Sequence, residues 1–156
     1  MEVDVRATAS GAPPAVRVRR LLSRAARAAW KEAGSGFSLT PGVSVLFCAD
    51  ARMRTLNRRW RGKDRSTDVL AFPTNGHGAG RGFLGDIVIS VPYAAREARR
   101  RREPAAREVD RLLVHGLLHL MGYDHETDDG EMDALEARVR RRLGISDPTA
   151  ALGERR

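Results

Sequence analysis

Cysteine is nearly absent: Cys48 is the only one in 156 residues. A single thiol excludes an internal disulfide and any metal site closed by cysteine pairs, and it suits a reducing compartment, so a cytoplasmic location is expected. Long apolar runs are missing too. No stretch approaches the roughly 20 residues that span a bilayer, and the opening Met1-Glu2-Val3-Asp4 lacks the basic and apolar regions of a secretory signal. No membrane partner is therefore expected. Lysine is scarce, with only Lys31 and Lys63 among 28 basic residues. Together with abundant alanine, that scarcity reflects GC-rich coding. Coding bias does not explain why cations exceed the 20 acidic residues, leaving a net charge of +8 and a pI of ≈ 11.0. Such an excess fits a polyanionic partner or a merely solvated basic surface, and alone it does not choose between them. No internal repeat and no linker composition appear. The length suits one domain with a real core, expected over residues 1–145, followed by a flexible tail over 146–156.

Histidine is also rare, at four residues, yet three of them fall in one stretch, Leu112-Leu-Val-His115-Gly-Leu-Leu-His119-Leu-Met-Gly122-Tyr-Asp-His125. His115 and His119 are four apart in a Leu-rich run that reads as helix, so their rings share one face with about 5–6 Å between Cβ atoms. Gly122 permits the left-handed turn that ends a helix, which lets the chain fold back and bring His125 to the same point. Three neutral imidazoles leave the fourth position of a tetrahedral Zn²⁺ open, the arrangement of catalytic rather than structural zinc. The spacing H-x-x-x-H-x-x-G-x-x-H is also the ligand skeleton of the metzincin proteases. In those proteases a glutamate follows the first histidine and serves as general base; here that position is Gly116, so peptide hydrolysis would need a base from elsewhere.

The remaining patterning is that of an α+β domain. Val3 and Val5 alternate with polar residues as in a short strand. Val18, Leu21, Leu22, Ala25, Ala26, Ala29 and Trp30 then form the apolar stripe of a helix stopped by Gly34 and Gly36. Val43–Cys48 is a β-rich run with Cys48 as a core residue. Asp50 is placed to cap a second helix whose buried stripe is Met53, Leu56 and Trp60. Thr67 and Asp68 suit a turn into a strand ending at Pro73. Asn75–Gly82 reads as a hairpin loop, which makes His77 a poor ligand. Leu84–Ser90 is a further strand. Ser90 and Pro92 open a helix bearing Arg96 and Arg99–Arg102, Pro104 opens the histidine helix, and Met132, Leu135, Val139 and Leu143 mark a last helix stopped by Gly144.

Three ordered stretches resemble one family. His115–His125 is similar to the signature of the YbeY family, bacterial metal-dependent endoribonucleases of ribosomal RNA maturation. Asn57–Pro73, with Arg61, Lys63, Asp64, Thr67 and Asp68, resembles its L-N-x-x-[YW]-R-x-K-D-x-x-T-D-V-L-S-F-P pattern, Ala71 replacing serine. Leu84-Gly85-Asp86-Ile87 resembles a third motif. The resemblance implies a small mixed sheet carrying a zincin-like metal helix, and one Zn²⁺ per chain on His115, His119 and His125. It implies cleavage of single-stranded RNA in 16S 3′-end maturation and ribosome quality control, with rRNA and the ribosome or its small subunit as partners and no DNA. Arg61, at a helix end before Gly62, is expected to project into the cleft and grip phosphate as a catalytic residue beside His115. Lys63, Arg99 and Arg100 are expected to bind substrate. Gly116 is expected to keep space beside the ion open, Asp86 to support the site, and Asp124 to orient a neighbouring ligand or turn rather than bind the metal. Two readings from other classes stay open: a zinc metalloprotease with the metzincin ligand pattern, and a non-catalytic, metal-stabilised ribosome-binding protein.

Overall fold

The computed structural model describes residues 1–34, 41–74 and 82–145; His77 and the 146–156 tail lie outside them. The elements follow the order β1 (Glu2–Ala7), α1 (Ala15–Glu32), β2 (Gly42–Cys48), α2 (Asp50–Arg61), β3 (Val69–Pro73), β4 (Phe83–Ser90), α3 (Val91–Arg100), α4 (Ala105–Leu120) and α5 (Glu131–Leu143). The four strands form one mixed sheet in the order β1-β2-β4-β3, with β1, β2 and β4 parallel and β3 antiparallel to β4. The class is α+β, as the patterning implies.

Side chains alternate across the sheet and so divide the molecule into two unequal layers. Val3, Val43, Val45, Phe47, Ile87 and Ile89 join Leu22 and Ala26 of α1, Leu113 and Leu117 of α4 and Met132 of α5 in the main core. The opposite face is thinly covered. There Cys48, Leu70 and Val88 meet Met53, with Leu56 and Phe72 partly buried beside them. Helix α2 is the element packed on that side, and it stops short of covering it.

Three expectations change. Trp60 is not part of the buried stripe: it is 61% exposed, resting edge-on against Phe72 at 6.2 Å between ring centroids. Asn57 takes the buried place instead, and its side-chain amide donates to the Arg65 carbonyl at 2.9 Å. Asp86 belongs to the thinly covered face, in register with Ser44 and Phe72, so it points away from the histidine helix and cannot support the site. Asp50 does not cap α2 either, because Ala49 holds the cap position. Its carboxylate accepts from Ser66 at 2.8 Å, Ser90 at 2.9 Å and Arg96 at 2.7 Å, tying α2, the 62–68 turn and α3 together. The Arg96 hydrogen bond leads in holding its pKa down to about 2, with the two serines adding to it.

Helix α4 lies close against β4 because two glycines allow it. A Cβ on Gly116 would stand 3.0 Å from Ile87 Cγ2. At Gly85, φ is +142°, and a Cβ would fall 2.1 Å from the Phe72 carbonyl oxygen and 2.9 Å from Leu120. Gly116 therefore sets the helix-to-sheet distance, and it also borders the cavity at the histidines. Gly85→Ala is expected to destabilise by on the order of 3 kcal/mol, combining backbone strain with a clash against backbone that cannot move aside. For a domain of this size that lowers Tm by roughly 10 °C, measurable in a thermal melt; an unchanged Tm would show that β3 can shift freely.

Candidate metal centre

The site is built on the C-terminal half of α4. Leu112, Leu113, Leu117, Leu118 and Leu120 are buried, which fixes the helix and leaves His115 and His119 on its opposite, half-buried face. The helix ends at Leu120 with Met121 as its cap, and Gly122 at φ +99° reverses the chain. The amides of Gly122 and Tyr123 donate back to the carbonyls of His119 and Leu118. Asp124 then holds the following turn: its carboxylate accepts from the Glu126 amide at 3.0 Å, and its carbonyl accepts from the amides of Thr127 and Asp128. This is the turn-orienting role expected of it, and the turn presents His125 to the other two rings.

The three imidazoles converge. Ring centroids are 4.8 Å apart for His115 and His119, 5.3 Å for His115 and His125, and 5.2 Å for His119 and His125. One ligand nitrogen from each lies within 4.8 Å of the others, a set that can hold a metal ion. Their surroundings suit that task. Burial and the nearby His115 and His125 push the His119 pKa down, keeping a neutral ring with a lone pair to offer. For His115, burial works in the same direction, but the hydrogen bond and charge of Glu136 outweigh it and raise the pKa.

Glu136 comes from α5 and accepts from His115 Nδ1 at 2.9 Å. A carboxylate on one ring nitrogen fixes the ring and directs the other nitrogen toward a metal. Nothing in the sequence pointed to it. Glu136 sits among arginines on an amphipathic helix, and only the packing of α5 on α4 gives it a partner. Glu136→Gln should therefore keep the fold but lower metal affinity by about 10–100-fold, the usual cost of losing such a support. Metal titration against a chelator measures this, and unchanged affinity would make the contact merely structural.

Across from the rings stand Arg61, Asp68, Val69 and Ala71, which close a cavity of ≈ 270 Å³ with the histidines and Gly116. A neighbouring cavity of ≈ 490 Å³ shares Arg61, Ala71, His119 and His125 and runs on past Leu84, Leu120 and Tyr123. Arg61 thus stands between the two. It is carried there by the last turn of α2, which Gly62 ends at φ +67°. Asp68 serves its turn, accepting from the Val69 amide at 2.7 Å, and also forms part of the histidine cavity's wall. The other basic candidates stand apart from these cavities: Lys63 is exposed beyond Gly62, Arg99 is exposed on α3, and Arg100 pairs with Glu97 at 2.8 Å. Arg101 comes nearer, pairing at 3.5 Å with buried Glu108, which also binds Arg111 at 2.6 Å.

Comparison with known proteins decides the family. The family model described as Endoribonuclease YbeY matches residues 11–144. The chain belongs to the YbeY family. Among the YbeY relatives, a protein named Endoribonuclease YbeY from Anaeromyxobacter sp. (strain Fw109-5) is 50% identical over 105 residues, covering 66% of this chain and 55% of that protein. The relative of the same name from Solibacter usitatus is 42% identical over 132 residues, 85% of this chain and 84% of that one. The solution structure of TM1509 from Thermotoga maritima superposes with a TM-score of 0.57 at 26% identity, covering 94% of this chain and 97% of its own. The first of these relatives is thus matched over little more than half its length, whereas the fold similarity spans nearly the whole of this chain.

Proposed function

We propose that this YbeY-family protein is a metal-dependent endoribonuclease acting on single-stranded RNA. Its metal would be one Zn²⁺ per chain, its substrate rRNA at the 16S 3′ end, and its setting the cytoplasmic ribosome or small subunit. The observation that carries the reading is the convergence of three imidazoles on one point with Arg61 across a cavity from them. The names of the relatives, Endoribonuclease YbeY, support the same class, as does a net charge of +8.

His115, His119 and His125 would hold the ion, with Glu136 locking the His115 ring. A divalent ion bound there supplies Lewis acidity toward a phosphoryl oxygen and lowers the pKa of water. Arg61 offers a planar fork of donors to two phosphate oxygens, which positions the scissile group and balances the charge that grows on it. The buried leucines of α4 fix the helix that carries His115 and His119.

The protease reading fits less well for a stereochemical reason. Position 116 is glycine, and a Cβ there would stand 3.0 Å from Ile87 Cγ2, so the chain lacks the base that metzincins carry there and Ile87 would have to give way to admit one. The experiment uses one labelled single-stranded RNA and one unstructured protein, each incubated with metal-loaded and metal-stripped enzyme. RNA cut only by the loaded form supports the proposal. Cleavage of the protein instead would make the enzyme a protease, and RNA bound but left intact would make it a ribosome-binding protein. Cyclic phosphate ends on the products would assign the attack to the RNA 2′-hydroxyl, and 5′-phosphate with 3′-hydroxyl ends would assign it to water.

A further inference from the structure

Trp60 has no role in holding the ion and little in the core, yet it is a large apolar side chain left 61% exposed. It is not loose. Phe72 meets its ring edge-on at 6.2 Å with 62° between the planes, and the Arg59 guanidinium lies 5.2 Å from its centroid. An indole held edge-on by Phe72, with a guanidinium over its ring and most of its surface in solvent, is suited to a flat partner on an anionic strand.

Its position relative to the site supplies the second observation. Trp60 and Arg61 are consecutive on α2, but they face different hollows. Arg61 borders both cavities at the histidines, whereas Trp60 borders a hollow of ≈ 1170 Å³ on the thinly covered face of the sheet. Ala71 and Pro73 of β3 line that hollow and the ≈ 490 Å³ cavity alike. Strand β3 is an edge strand, paired among the described residues only with β4, so its width separates the two, and an extended strand lying across it would touch both. Arg58 and Arg59, on the same last turns of α2 as Trp60 and Arg61, are exposed cations as well. The wall of the hollow carries Arg6 and Arg52 as well as Asp4 and Asp86, so its charges balance, and the exposed indole on its α2 side is what it offers a base.

We infer that Trp60 is a stacking platform for one nucleobase of the RNA, next to the phosphate that Arg61 grips. This rests on the endoribonuclease reading and deepens it: the enzyme takes unpaired RNA because a base already stacked in a duplex cannot lie on the indole. Phe72 orients the platform, and Arg59 is a cation that the arriving base can share or displace.

The test uses the full-length protein and single-stranded oligoadenylate. Titrating it should quench tryptophan fluorescence in wild-type protein and in Trp30→Phe, whose site lies against the main core, but not in Trp60→Phe. Trp60→Ala should weaken binding by about five- to a hundredfold, the range for losing one base stack, whereas Trp60→Phe should restore most of it at the same melting temperature. An abasic sugar-phosphate oligomer should bind wild-type and Trp60→Ala protein alike. Equal affinity of wild-type and Trp60→Ala protein for oligoadenylate, with cleavage intact, would overturn the platform and leave the enzyme assignment standing. Failure of the wild-type protein to bind or cut RNA at all would instead remove the enzyme assignment, and the platform with it.

Discussion

Alanine at His125 is expected to strip the protein of its metal and reduce RNA cleavage to background while leaving the fold intact. His125 is exposed on the turn after α4, so its removal creates no cavity, unlike a change to half-buried His115. It is nevertheless one of three imidazoles gathered within 4.8 Å, and two ligands do not hold Zn²⁺ as three do. If the ~10–16 kcal/mol of a four-ligand zinc site is shared over its ligands, losing one weakens binding by on the order of a hundredfold or more. Elemental analysis after dialysis against a chelator should find about one equivalent in the wild type and almost none in His115→Ala, His119→Ala or His125→Ala. A full equivalent retained by His125→Ala would reduce the centre to a two-histidine site and detach the Gly122 turn from function.

Arg61→Ala should separate catalysis from metal binding. Its guanidinium borders the histidine cavity without being able to ligate a cation, so metal content and Tm should stay at wild-type values. Turnover of RNA should fall by on the order of a hundredfold or more, the scale of losing one preorganised donor to developing charge. Arg61→Lys should recover only part of this, because a point charge cannot grip two phosphate oxygens in a plane. Arg58→Ala and Arg59→Ala are the controls from the same helix turn. Arg58 lies 4.0 Å from Asp64, and Arg59 lies over Trp60, so each should lose far less in turnover than Arg61. Equal, small losses in all three would describe a diffuse basic patch with no catalytic arginine.

The sequence by itself determined what depends on neighbours along the chain. The placing of His115 and His119 on one helix face follows from helical spacing, the return of His125 from the Gly122 turn, and the end of α2 that projects Arg61 from Gly62. The order of strands and helices was legible in apolar periodicity, and the α+β class followed from it. Tertiary structure alone decided which face each strand residue meets and what lies across from it. Asp86 and Ile87 are adjacent in sequence, yet the sheet sends one toward the α2 side and the other against Gly116. Trp60 has the spacing of a core residue and is exposed because α2 runs out before the second face is covered. Asp50, in a capping position by sequence, bonds instead to Ser66, Ser90 and Arg96 from up to 46 residues away. Glu136 meets His115 across 21 residues through the packing of α5 on α4. Periodicity records whether a side chain turns toward an apolar layer. It carries no record of which distant polar group will be waiting there, because that partner is set by how whole elements pack.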